Sequence, residues 1–242
     1  MTPKRLHVFL AQQGVASRRE AERMIDSGRV RVNGQMVQKQ GMMITPGDDQ
    51  VMVDGKVITN KQKKFRYFLF HKPRNVVSTL SDPFAEKTVY DFFRDISEKL
   101  VPAGRLDKNS TGLMLLTNDG ELVLRLTHPR YGAQKFYRVR VKGHYDEAAM
   151  KRVESGVMID GKKTAPCTIR KVKHAKGETE LTIILNEGRK REIRRMMEMV
   201  ELKVTGLRRE KLGPFELGRL PEGARQELSA QQVAKMIQPL LK

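Results

Sequence analysis

The sequence holds a single cysteine, no tryptophan and few aromatic residues, and each scarcity excludes something. One cysteine, Cys167, forbids an intrachain disulfide and any cysteine-built zinc site, which fits a reducing compartment. Cys167 itself reads as a small buried hydrophobe. With aromatics at 6%, a stacking platform for single strands cannot dominate nucleic-acid binding. No apolar run approaches the roughly 18 residues of a membrane span. The opening MTPKRLHVFLAQQG sets Gln12 and Gln13 behind a short apolar stretch, unlike an export signal. The five histidines stand singly, without metal-ligand spacing. The G-x-S-x-G elbow, the H-E-x-x-H pair, the Walker lysine motif and G-x-G-x-x-G are all missing. The expectation is a soluble cytoplasmic protein with no metal and no small-molecule cofactor.

What the chain does have is positive charge. Its 242 residues carry 47 Lys and Arg against 28 Asp and Glu, a formal +19. Such an excess favours a polyanionic partner, because cations meeting phosphates release condensed counterions. The charge is uneven: residues 1–62 hold ten basic and six acidic residues, leaving +15 for the remainder. The arginines cluster at Arg18, Arg19, Arg23, Arg29 and Arg31, and again, with Lys190, at Arg189, Arg191, Arg194 and Arg195. Two separated patches point to a structured nucleic acid gripped in two places. The bland alternative for either patch is a solvated face, with Arg23 simply pairing Asp26.

The length corresponds to between one and two domains. Leu6, Phe9 and Leu10 have helical spacing over 4–13, and Gly14 ends that helix. Ser17 and Glu20 form a capping-box signature for a second helix running to Gly28. Two short hairpins follow, with turns at Asn33-Gly34 and Asp54-Gly55. Residues 1–60 thus form one small module, and 61–65 read as a polar linker. From 66 to 242 the pattern is mixed. Strands are expected at Tyr67–Phe70, Leu113–Leu116, Tyr137–Val141 and Leu181–Leu185. Helices are expected over 88–100, over Glu121–Leu126, after Gly188 and over about 229–241.

One loop stands out, G104-R105-L106-D107-K108-N109-S110-T111-G112, a polar segment with a single carboxylate set between apolar strands. Loops held by a rigid scaffold commonly carry function. Alternatively, Asp107 only caps a turn by accepting from Asn109 or Ser110 N–H.

The pattern R18-R19-E20-A21-E22-R23 through G28-R29-V30-R31-V32-N33-G34 resembles the S4 RNA-binding domain. The loop, continued as L113-M114-L115-L116-T117-N118-D119-G120, resembles the catalytic signature of pseudouridine synthases of the ribosomal RsuA/RluB/RluF group. Three further segments agree in order: H71-K72-P73, K135-F136-Y137-R138-V139 and N186-E187-G188-R189-K190-R191-E192-I193-R194-R195-M196. The resemblance spans residues 4–228. It implies an α+β protein: a small S4-like module, then a catalytic domain on a mostly antiparallel mixed sheet.

It also implies isomerisation of a uridine in ribosomal RNA, with 23S rRNA favoured over 16S rRNA, by a monomer acting on RNA or a pre-ribosomal particle. Asp107 matches the catalytic aspartate, as nucleophile or in a glycal-type elimination. Tyr137 matches the aromatic that stacks on the base, and Arg194 the cation that pairs with the aspartate, with Arg189 as possible substitute. A guanidinium about 4 Å away is worth roughly 4 kcal/mol at an effective dielectric of 20, enough to keep a buried carboxylate ionised. Arg18, Arg19, Arg31, Arg105, Lys135, Arg189 and Arg191 are the expected RNA contacts. The rival reading is a non-catalytic RNA-binding ribosome-assembly factor, which would keep both basic patches and have no need of Asp107. A DNA-binding regulator is weaker, since no recognition helix with dimer spacing stands out.

Overall fold

The computed structural model describes residues 2–59, 64–79, 86–175 and 177–238. They separate into two compact units, Met1–Lys64 and Phe65–Lys242. Most of the expected linker, 61–65, lies outside the described residues.

The first unit opens with a short strand β1 (Lys4–Arg5), then α1 (Leu6–Gln12) and α2 (Arg18–Asp26). Small strands follow: β2 (Val30–Val32), β3 (Gln35–Met36), β4 (Met43–Ile44), β5 (Val51–Val53) and β6 (Lys56–Val57). The order β3-β2-β5-β6 makes a four-stranded antiparallel sheet, while β1 pairs with β4. Leu6, Phe9, Leu10, Ala21, Ile25, Val30 and Val51 form its core. The Ser17 side chain caps α2 by accepting from Glu20 N. The Glu20 carboxylate bonds Arg23 at 2.8 Å, so Arg23 pairs backward along the helix and not with Asp26. Arg29 is held by Asp54 through Nε at 2.8 Å and a second guanidinium nitrogen, and all five arginines of this cluster, Arg18, Arg19 and Arg31 among them, are exposed.

The second unit is built on a nine-stranded sheet. Its strands are β7 (Tyr67–Lys72), β8 (Val101–Pro102), β9 (Thr111–Thr117), β10 (Lys135–Lys142), β13 (Thr168–Ala175), β14 (Glu178–Leu185), β15 (Lys203–Leu212), β16 (Phe215–Glu216) and β17 (Arg225–Leu228). The order is β13-β14-β10-β15-β9-β7-β17, with β8 on β9 and β16 on β15. Every neighbouring pair in it is antiparallel except β9 and β15. The hairpin β11 (Met158–Ile159) and β12 (Lys162–Lys163) stands apart. The helices are α3 (Gly120–Thr127), α4 (Glu147–Glu154), α5 (Glu192–Glu198) and α6 (Ala230–Ile237). Among the described residues no helix is long and apolar enough to cross a membrane.

Side-chain alternation explains the two kinds of strand. In β7 and β9, Phe68, Phe70, Met114 and Leu116 enter one core with α4 and α5, while Tyr67, Leu69, Leu113 and Leu115 enter another with α3 and α6. Both faces are covered, so the runs Tyr67–Phe70 and Leu113–Leu116 are apolar on both sides. In β10, Tyr137, Val139 and Val141 are buried, whereas Arg138, Arg140 and Lys142 are exposed, because no helix covers that face.

The helix expected over 88–100 does not form. A single 3-10 turn, Val89–Phe92, replaces it. Val89, Phe93 and Leu100 still reach the core. Arg225 takes the Phe92 carbonyl and pairs with Asp95. Ile96 N bonds Phe93 O at 3.0 Å and not the carbonyl four residues back. The C-terminal helix is present as Ala230–Ile237, and the end of the expected span lies outside the described residues. The spacing also gave no sign of α4, β11, β12, β15, β16 or β17.

Candidate active site

The catalytic-loop candidate spans the connection from β8 to β9, and it is fixed from three sides. Ser78 Oγ donates to Leu106 O at 2.8 Å and accepts from Leu106 N at 3.2 Å. Asn75 N donates to Lys108 O at 2.9 Å. Arg194, from α5, donates to Asn109 O at 3.2 Å and to Ser110 Oγ at 3.5 Å. Within the loop, Ser110 N bonds the backbone carbonyl of Asp107 at 3.0 Å. The turn is thus closed by the Asp107 main chain, and its carboxylate is left to face Arg194.

Arg194 Nε and Asp107 Oδ2 are 3.9 Å apart, an ion pair too long for a hydrogen bond. Arg194 is 8% exposed, while the Asp107 side chain is 31% exposed, so solvent weakens the pair below its fully buried strength. The Arg194 Nε–H has no hydrogen-bond partner. A second Arg194 nitrogen holds Val204 O of β15 at 3.3 Å. Burial, then the nearby Arg191, lowers the Arg194 pKa, and Asp107 opposes them. The guanidinium therefore joins three elements: the loop, α5 and β15. Arg194→Lys keeps the charge but not the fork, and a single-turnover assay is expected to show a rate at least about tenfold lower, with RNA affinity held.

Beneath the loop lies Lys72, 0% exposed. Its ammonium donates to Val76 O at 2.7 Å, Pro73 O at 2.8 Å and, at 3.4 Å, Lys108 O. Burial lowers its pKa to about 8, and Glu222 and Asp107 push back upward. The sequence singled out H71-K72-P73 but not this role. The available signal was a lysine ending a strand whose other residues are otherwise non-charged and buried.

A small solvent-open cleft, with a cavity volume of about 60 Å³, lies in front of Asp107, and Tyr137, Arg105, Arg189, Arg191 and Leu207 line it as well. The structure therefore brings Asp107, Tyr137 and Arg105 to one cleft, with Arg194 behind Asp107. Tyr137 is buried on β10 beside Ile183 and Arg209. Arg105 and Arg191 are exposed at the rim. Arg191, at the start of α5, has φ +53°, a left-handed backbone uncommon outside glycine. Arg189 does not reach Asp107. Its guanidinium bonds Glu187 at 3.1 Å and the carbonyls of Lys162 and Lys163 at 3.0 and 2.6 Å, which tie the β11–β12 hairpin to the cleft wall. Lys135 is buried, with Nζ on Ala133 O at 2.9 Å, and the structure does not bring it to the surface. Cys167 is half-buried, and burial pushes its thiol up to about 12, far from a reactive thiolate. Among the described residues no group of three or more His, Cys, Asp or Glu side chains gathers where a metal could sit.

Comparisons with known proteins identify the family. The family described as RNA pseudouridylate synthase matches residues 66–199, and the S4 domain matches residues 4–49. An uncharacterized RNA pseudouridine synthase of Aquifex aeolicus is 39% identical over 98% of this chain and 94% of its own. The ribosomal large subunit pseudouridine synthase B of Bacillus subtilis is 37% identical over 96% of this chain and 95% of its own. A pseudouridylate synthase crystal structure superposes with a TM-score of 0.67 at 29% identity, covering 96% of this chain and 99% of that one. A carboxylate facing a buried guanidinium on a mixed sheet, the two family matches in sequence and these relatives place the chain in the RNA pseudouridylate synthase family, with an S4 domain ahead of the catalytic domain.

Proposed function

We propose that this synthase isomerises a uridine of large-subunit ribosomal RNA, and that Asp107, Tyr137 and Arg194 carry the reaction. The observation that supports the substrate is the relatedness to two proteins named ribosomal large subunit pseudouridine synthase B, from Bacillus subtilis and, at 35% identity, Vibrio vulnificus. The observation that supports the roles is the Asp107 carboxylate held opposite Arg194 at the floor of an open cleft. In the reaction the N1–C1′ bond breaks, the uracil turns, and C5 joins C1′. The C5 proton leaves and N1 gains one. Asp107 acts at C1′ or in the elimination of the ribose proton, while the Tyr137 ring packs against the base.

A base inside RNA must leave its stack to reach such a cleft. Arg105 and Arg191 at the rim, and Arg18, Arg19 and Arg31 on the S4 unit, supply cations for phosphates. A monomer in the cytoplasm, acting on rRNA or a pre-ribosomal particle, fits these features. The test is tritium release from rRNA labelled at C5 of uridine, using large- and small-subunit RNA, free and in assembling particles. Release from 23S rRNA alone is the expected result. Release from 16S rRNA would move the substrate to the small subunit. RNA binding without any release would favour an assembly factor.

A further inference from the structure

The segment 187–192 forms the cleft wall that presents Gly188, Arg189 and Arg191, and an unusual pair of acids holds it together. Glu192 is 4% exposed. Its Oε2 accepts from Arg189 N at 2.8 Å, but its buried Oε1 has no N–H or O–H partner among the described residues. Glu187 accepts from Ala165 N at 2.6 Å with one oxygen and from Arg189 Nε at 3.1 Å with the other. Arg189 thus draws both carboxyls to itself, and the two side chains meet. Two carboxylates cannot bond each other, since each is only an acceptor. With one proton between them they can. The orphaned oxygen is where that proton belongs.

We propose that Glu192 is a positioning residue for the isomerisation: as a neutral carboxyl bonded to Glu187, it keeps Arg189 and Arg191 in place on the cleft wall. The inference rests on the cleft being the site of reaction. The electrostatics agree with the geometry. Burial, with the neighbouring Glu187, raises the Glu192 pKa to about 7, although Arg189 N–H opposes the rise. At Glu187 burial also works upward, but the Ala165, Glu192 and Arg189 hydrogen bonds outweigh it and leave that group below the usual carboxylate value. Below about pH 7 one acid is therefore ionised and the other neutral. The other groups facing the pair are Lys135 from β10, Cys167 ahead of β13 and Arg189 itself. Burial and Arg209 lower the Lys135 pKa, while Glu192 and Glu187 push it back upward.

The sign follows. Below about pH 7 the shared proton is present. As pH rises past 7, Glu192 ionises beside Glu187 and the like charges push the wall apart. Glu192→Gln supplies a neutral group whose N–H₂ bonds Glu187 at every pH. The experiment measures single-turnover isomerisation from pH 6 to 9 for wild type, Glu192→Gln and Glu192→Ala. Taking ratios to wild type cancels ionisations common to all three. The Gln-to-wild-type ratio is expected to rise about threefold or more between pH 6.5 and 8.5, and Ala to be slower than Gln at both. Glu187→Gln, which offers Glu192 an amide donor, should raise its ratio in the same way and guards against one variant folding poorly. Ratios constant with pH overturn the inference. Absence of isomerisation by wild type on any RNA would instead count against the reading of the site.

Discussion

Asp107→Asn is expected to abolish tritium release from uridine-labelled rRNA, on the order of a thousandfold or more, in keeping with the loss of a residue that acts at the reacting atom. The substitution is nearly isosteric, and the loop around it does not depend on the carboxylate. Its turn is closed by the Asp107 backbone carbonyl, and its other anchors come from Ser78, Asn75 and Arg194. The fold should therefore hold. RNA affinity should be equal to or slightly tighter than that of wild type, because one negative charge leaves a surface that meets phosphates. Filter binding beside the release assay separates the two effects. An assembly factor would tolerate the change, so this variant also divides the enzyme from its rival.

The largest stability effect is expected at Gly112. It has φ +111°, and a Cβ built there would lie 2.3 Å from Arg209 O and 2.5 Å from Arg209 N. Those atoms belong to β15 where it runs parallel to β9, with Arg209 beside Gly112. Backbone cannot yield as a side chain tip can, so Gly112→Ala must either separate the two strands or fold with heavy strain. A loss of about 3 kcal/mol or more is expected, lowering Tm by roughly 10 °C for a domain of this size. Gly161 provides the contrast. Its φ is +71°, but nothing lies within 4 Å, so Gly161→Ala costs only the left-handed backbone, about 1 kcal/mol. Thermal unfolding of both variants measures the difference. Similar melting points would show that the β9–β15 contact can relax.

Much of this was legible in the sequence, for identifiable reasons. The alternation along β10 and the unbroken apolar runs of β7 and β9 each report how many faces are covered. Asp107 was marked by being a lone carboxylate in a polar loop between buried strands. Arg194 and Arg189 could not be separated by spacing, since both lie in one basic run. Only the tertiary partners divide them: Glu187 and the carbonyls of β12 take Arg189, and the loop takes Arg194. Lys135 reads as a surface cation in sequence, and its burial depends on strands far away in the chain. The segment 88–100 is likewise held by distant partners. Its periodicity is right for packing, and Arg225, more than a hundred residues later, binds the Phe92 carbonyl and Asp95 within it. Long-range hydrogen bonds to the backbone leave no local pattern.

The pairing of Thr111 and Gly112 with Arg208 and Arg209 also sets an order in time. Loop closure over nearly a hundred residues is slow compared with forming the hairpins on either side. During synthesis the Asp107 loop emerges long before α5 and β15, which supply its guanidinium brace and its neighbouring strand. A nascent chain that ends short of β15 carries the carboxylate without its setting. The newborn polypeptide, made on a ribosome rich in uridines, is thus expected to be inert towards that RNA until its last quarter has been added.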